Sequence, residues 1–206
     1  MRAPLRRRKL LDAALPCFAR RGYRGTTTAA LAEAAGITPP ILYRHFESKL
    51  DLFSTLLDEA AGRVVESWRT RLNGIADSRR RVAALIDAVS RPWRLADQRL
   101  ILRALSEAED DPAIARRVRE CLRTIHGFVA AELKTLQAAG VVRDDVAARQ
   151  LAQRLVSAAV GVAITSPRGA RGPNPGSARW IEALVAPRGR RPAGSAGRRG
   201  SPTSGS

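Results

Sequence analysis

Helix punctuation is the feature that most restricts this chain. Four runs with apolar residues at helical spacing each stop at a glycine: Gly22, Gly36, Gly74 and Gly140. A glycine just past the last periodic residue ends a helix readily, because it enters the left-handed conformation without a Cβ clash. Residues able to cap a helix start open the next runs, at Thr26 or Thr27, Thr38 and Ser48. The chain therefore reads as helices joined by tight turns, and no stretch shows the alternation of a strand.

The first helix is expected from Leu10 to Gly22, with Leu10, Leu11, Ala14, Cys17 and Phe18 on one face. Pro16 lies inside it and should bend it, at a cost of roughly 3 kcal/mol if unrelieved. A second, short helix runs to Ala35. A third follows Thr38, with Pro39 and Pro40 in its first turn, where missing N–H groups cost little, and reaches His45. Lys49 to about Leu72 forms a long fourth helix. Further helices are expected at 78–90, about 97–108, from Asp111-Pro112 to Gly140, from Asp144 or Asp145 to about Thr165, and at 178–186. Residues 167–177 read as a loop.

Hydrophobic residues make up 45% of the chain but aromatics only 4%. Alanine, leucine and valine must fill the core, which suits helices better than sheets. The net charge of +17 calls for a polyanionic partner, nucleic acid or membrane surface. The densest basic excess falls in residues 167–206. Cys17 and Cys121 are isolated, so neither a disulfide framework nor a zinc site is expected, and no cofactor. No run of apolar residues is long enough to span a membrane. Asp12, Pro16 and Arg20 interrupt the basic N-terminus, which does not read as a secretory leader. These features suggest a cytoplasmic protein.

Thr27 to Phe46, TTAALAEAAGITPPILYRHF, has the pattern of a helix-turn-helix. Ala30, Ala34 and Ala35 would allow a close crossing, and Gly36 the tight turn. Ile37 and Leu42 would anchor the third helix, and Phe46 would fill the space between helices one, three and four. The third helix is too short to be stable alone, so it is there to present side chains. Thr38, Pro39, Tyr43, Arg44 and His45 would face outward, with groups that can bond phosphates or base edges.

Residues 10–53 resemble the DNA-binding domain of the TetR family of regulators. The matching stretches are LLDAAL at 10–15, CFARRGY at 17–23, TTT at 26–28, LAEAAGI at 31–37, LYRHFESK at 42–49 and LDLF at 50–53. The resemblance implies an all-α fold, in which an N-terminal three-helix helix-turn-helix domain is joined by a long helix to a C-terminal ligand-binding and dimerisation domain. The expected division is a basic arm at 1–9, the DNA-binding domain at 10–53, a regulatory body at 54–186 and a disordered basic tail at 187–206. It implies a dimer that binds double-stranded DNA at a palindromic operator and responds, as a repressor, to a small apolar effector.

By position, the resemblance gives Thr26 and Thr27 phosphate contacts at the start of helix two. Thr38, Pro39, Pro40, Tyr43 and Arg44 would enter or flank the groove. His45 and Tyr43 would touch phosphate, and so would Lys49 from the start of helix four. The chain departs from the family at Pro39, where many members carry lysine, at Ala30, where an acidic residue often completes a capping box, and at Pro16.

Candidates for an effector pocket are Trp68, Trp93, Leu102, Cys121, Ile125, His126 and Phe128, a largely apolar set. Val156, Ala159, Val160, Ala163 and Ile164, with Trp180, Ile181 and Leu184, are expected to form a four-helix interface between subunits. Two other readings compete. An enzyme is disfavoured, because His45 and His126 lack an acid partner and no glycine-rich phosphate loop is present. A basic helical protein that coats nucleic acid or membrane without sequence preference would rely on the tail, so deleting 187–206 separates it from a sequence reader.

Overall fold

A computed structural model describes residues 3–90, 95–165, 183, 185 and 186. Among them are eight helices: α1 (Ala3–Arg21), α2 (Thr28–Ala34), α3 (Pro39–Tyr43), α4 (Lys49–Leu72), α5 (Ser78–Ser90), α6 (Leu95–Glu107), α7 (Pro112–Ala138) and α8 (Ala148–Thr165). All four punctuating glycines have positive φ, between 65° and 75°. Thr27, Ser48 and Asp111 cap α2, α4 and α7 through their side chains.

The basic arm expected at 1–9 is not separate from the fold, because α1 already begins at Ala3. Arg7 lies over the Phe46 ring, 4.7 Å from its centroid, and Arg8 pairs with Asp12 and Glu59. These anchors extend the helix over the arm. α1 also continues through Pro16, whose ring is exposed while Ala14, Leu15, Cys17 and Phe18 on either side are buried. Packing of those neighbours offsets the missing hydrogen bond.

α8 opens at Ala148, not at Asp144 or Asp145. Arg143 takes the Asp145 carboxylate at 2.7 and 2.6 Å, and Gln137 Nε2 donates to the carbonyls of Arg143 and Val146. The segment is thus held as a turn. Residues 166–177, 178–182 and 187–206, including the expected loop, most of the last helix and the tail, lie outside the described residues. Val185 is buried, and its carbonyl accepts from Arg143 N at 3.0 Å.

α4 ties the chain together. Its buried face runs from Leu52 and Phe53 through Trp68 to Leu72. Its first turns pack on α1, and its later turns on α5, α6 and α7. α7 also packs along α8. The N-terminal helices touch the body a second time, where α1 lies against α6. One core therefore runs from Leu10 to Val185 across the expected boundary at residue 53.

Candidate nucleic-acid interface

The turn between α2 and α3 follows from its sequence. Ala35 N donates to Leu31 O, Gly36 N to Glu33 O and Ile37 N to Ala32 O. The last of these closes the wider ring of a glycine-stopped helix. Leu31 and Ala32 are the buried residues of α2, whereas Ala34 is exposed and Ala30 and Ala35 are only partly covered. Leu42 and Phe46, each 1% exposed, pin the five-residue α3 to the core. With Leu42 facing inward, its neighbours must face out. Ile41 is 37% and Tyr43 49% exposed, and Thr38, Pro39, Pro40 and Arg44 are exposed beside them.

Thr38 precedes α3 but makes no side-chain cap. Pro39 and Pro40 offer no N–H, and Ile41 N already donates to Thr38 O at 3.0 Å. No described residue pairs with the Thr38 hydroxyl. Arg44 ends α3, and no described residue pairs with its guanidinium. Tyr43 Oη lies 3.2 Å from Thr28 Oγ1, a contact that steadies the ring across the two helices. His45 is half-buried behind them. Thr27 Oγ1 accepts from Ala30 N at 3.2 Å and keeps its own proton to donate.

One expected phosphate contact is corrected. Thr26 is fully buried, and its hydroxyl donates to Gly22 O at 2.6 Å, so it closes the end of α1 and reaches no phosphate. Lys49 Nζ donates to Tyr23 O at 2.9 Å and Thr26 O at 3.0 Å, and sits over the Tyr23 ring at 4.2 Å. Two of its three N–H groups are thus held by the turn between α1 and α2. Burial, followed by the nearby Asp111 and Glu107 carboxylates, pushes the Tyr23 hydroxyl pKa up. Three contributors escaped the sequence reading: Ile41, Thr28 and Glu107. Ile41 was detectable, since one step from an inward Leu42 is a turn of about 100°. Glu107 had no local signal.

Among the described residues, the candidates for an effector pocket fall in three different places. Trp68, Cys121 and Ile125 are core residues, each 1% exposed or less. Phe128 packs on Trp68 at 6.2 Å between ring centroids, and Arg69 lies over the Phe128 ring, 5.8 Å from its centroid. Leu102 lines a groove beside Ala19 and Arg103, between α1 and α6. His126 lines another, of about 440 Å³, between α7 and α8, where Arg119, Arg123 and Arg149 also converge. Burial lowers the His126 pKa and favours its neutral form. Trp93 lies outside the described residues.

Burial, then the Asp58 charge, pushes the Cys121 thiol pKa up to about 12. In a Cys17→Ser background, Cys121 should therefore resist a maleimide at about pH 8 until denaturant is added, because the thiolate is the reactive form. Labelling of the native protein at a free-thiol rate would show that the body opens.

The interface residues divide as well. Val156 and Ala159 face the protein's own core at 1% and 5% exposure, so they cannot serve as a subunit contact, and Val160 is half-buried. Ser157 and Gly161 are exposed on the opposite face of α8. The side chains of Ala163 and Ile164, and Trp180, Ile181 and Leu184, lie outside the described residues.

A short helix offered outward from a glycine turn, on a helical body with no described strand, defines a helix-turn-helix DNA-binding protein. Residues 10–56 match the family described as bacterial regulatory proteins, tetR family. The repressor AcnR of Corynebacterium diphtheriae is 32% identical over 145 residues, which cover 69% of this chain and 70% of AcnR. The activator FasR of Mycolicibacterium smegmatis is 37% identical over 83 residues, which cover 40% of this chain and 38% of FasR. Salmonella enterica GusR superimposes with a TM-score of 0.71 at 25% identity, over 89% of this chain and 93% of GusR. The chain belongs to the TetR family of transcriptional regulators. Regulators of this family bind DNA as dimers and respond to small ligands. No described helix is long and apolar enough to cross a membrane.

Proposed function

We propose that the protein is a cytoplasmic, ligand-responsive repressor whose α3 enters the major groove of a palindromic operator. The observation that carries this is the division of labour among polar groups in the head. Thr26, Lys49, Arg7 and Arg8 bond within the protein, whereas Thr38, Tyr43 and Arg44 present theirs outward on α3. Arg44 can bond a guanine edge with two parallel hydrogen bonds, and Ile41 can meet a thymine methyl. Thr38, Tyr43 and Thr27 suit phosphate, with His45 behind them, and Pro39 and Pro40 shape the face that enters the groove. The head comprises residues 10–53 and the regulatory body 54–186.

The dimer uses the outer face of α8 around Ser157, Val160 and Gly161. The two heads of such a dimer must reach successive major grooves, about 34 Å apart, one helical turn of DNA. The effector occupies the groove between α7 and α8. No described residue pairs with its three arginines and its described lining contains no carboxylate, so an anionic compound suits it better than the apolar one expected from the sequence. Binding to a library of random duplexes tests the reading. The protein should enrich inverted half-sites and sediment on them as a dimer. Enrichment of no sequence, with tail deletion abolishing binding, would favour the non-specific coat instead.

A further inference from the structure

Gly22 is left-handed and ends α1. The N–H groups of Tyr23 and Arg24 that follow form a small concavity of the kind that binds anions. A carboxylate of the body fills it. Glu107, the last residue of α6, accepts from Tyr23 N through Oε1 and from Arg24 N through Oε2, both at 2.9 Å. The fit requires glycine at position 22 twice over: φ is +72°, and a Cβ there would collide with Glu107 Oε1. A second, exposed pair joins Arg24 to Asp110 at 3.1 Å.

The same turn is gripped from the other side. Lys49, at the start of α4, holds the carbonyls of Tyr23 and Thr26, and buried Thr26 holds Gly22 O. The next residue, Thr27, caps α2. The position of α2, and with it α3, is therefore set by a five-residue turn in which the body holds the N–H groups of Tyr23 and Arg24 and the head holds the carbonyls of Gly22, Tyr23 and Thr26. α6 is tied to α4 as well, through Arg63 and Asp97. A displacement of α6 must either carry the turn with it or break the Glu107 contacts.

We infer that Glu107 is a positioning residue for DNA recognition, holding the turn that sets the orientation of the reading helix. This rests on the helix-turn-helix reading above. A purely structural clasp would lower stability and weaken binding to all DNA alike. A positioning residue alters the preference for the selected sequence while the fold stays complete.

The test uses the full chain as wild type, Glu107→Ala, Glu107→Gln and Asp110→Ala. Anisotropy is read with a duplex selected by the wild type and with its scrambled version, and amide exchange is followed by NMR. Glu107→Ala should weaken binding to the selected duplex about tenfold or more, the loss of roughly one charge-assisted hydrogen bond, and leave the scrambled duplex within about twofold. Protection of the Tyr23 and Arg24 amides should fall while that of α7 is unchanged. Glu107→Gln should fall between, and Asp110→Ala should resemble the wild type. If Glu107→Ala does not fold, Glu107→Gln decides by the same criteria. Unchanged binding to the selected duplex with amide protection lost would overturn the inference, and so would equal weakening on both duplexes. A wild type that selects no duplex at all would overturn the recognition reading and this inference together.

Discussion

Asp97→Ala should destabilise the protein by about 1.5 to 3 kcal/mol, the usual cost of losing buried hydrogen bonds to a charged partner. Asp97 is 1% exposed, and its carboxylate holds Arg63 Nε at 3.0 Å and Nη2 at 2.7 Å. The Asp97 hydrogen bond is the largest influence raising the Arg63 pKa, against burial, which would lower it. Arg63 also pairs with Glu59, and Glu59 with Arg8, so the chain of charges joins α6 to α4 and α1. Arg63 keeps Glu59 when Asp97 is removed, which places the expected loss toward the lower end of the range. Urea unfolding followed by circular dichroism gives the number. Arg63→Met with Asp97→Leu should lose less than Asp97→Ala alone, since neither charge is then stranded. A loss below about 1 kcal/mol for Asp97→Ala would match an exposed pair and show that water reaches this one.

The parts of this structure that were legible in the sequence are local ones. Gly22, Gly36, Gly74 and Gly140 marked helix ends because a left-handed residue is a property of a few neighbouring bonds. Thr27, Ser48 and Asp111 marked starts for the same reason. The outward position of Tyr43 and Arg44 followed from the inward position of Leu42 on the same short helix. What the sequence concealed lies between elements. Lys49 was expected to reach phosphate from the start of helix four, and nothing local showed that the carbonyls of Tyr23 and Thr26, more than twenty residues earlier, would meet its ammonium. Thr26 and Thr27 are adjacent and chemically alike, yet only the fold decides that one is buried against Gly22 and the other caps α2. Trp68, Cys121 and Ile125 have the spacing of a buried face, and that spacing is the same whether the face meets another helix or a ligand. Glu107 reaches a turn more than eighty residues away, and no periodicity records such a contact.

The measurement that bears most directly on the central claim, that α3 reads sequence in the major groove, is the binding of Arg44→Ala and Lys49→Ala to selected and scrambled duplexes over a salt series. Arg44 is exposed and no described residue pairs with it, so its loss should leave the fold intact, cost about 1–3 kcal/mol on the selected duplex and relax preference at one base pair per half-site. Lys49 holds the turn, so Lys49→Ala should weaken binding by loosening the head and lower its thermal stability. It should leave the log–log salt slope unchanged, whereas a lost phosphate contact would reduce that slope by roughly 0.9. The account predicts that Arg44→Ala changes which base is preferred and Lys49→Ala does not. Uniform weakening by Arg44→Ala on every sequence, with base preference intact, would contradict it.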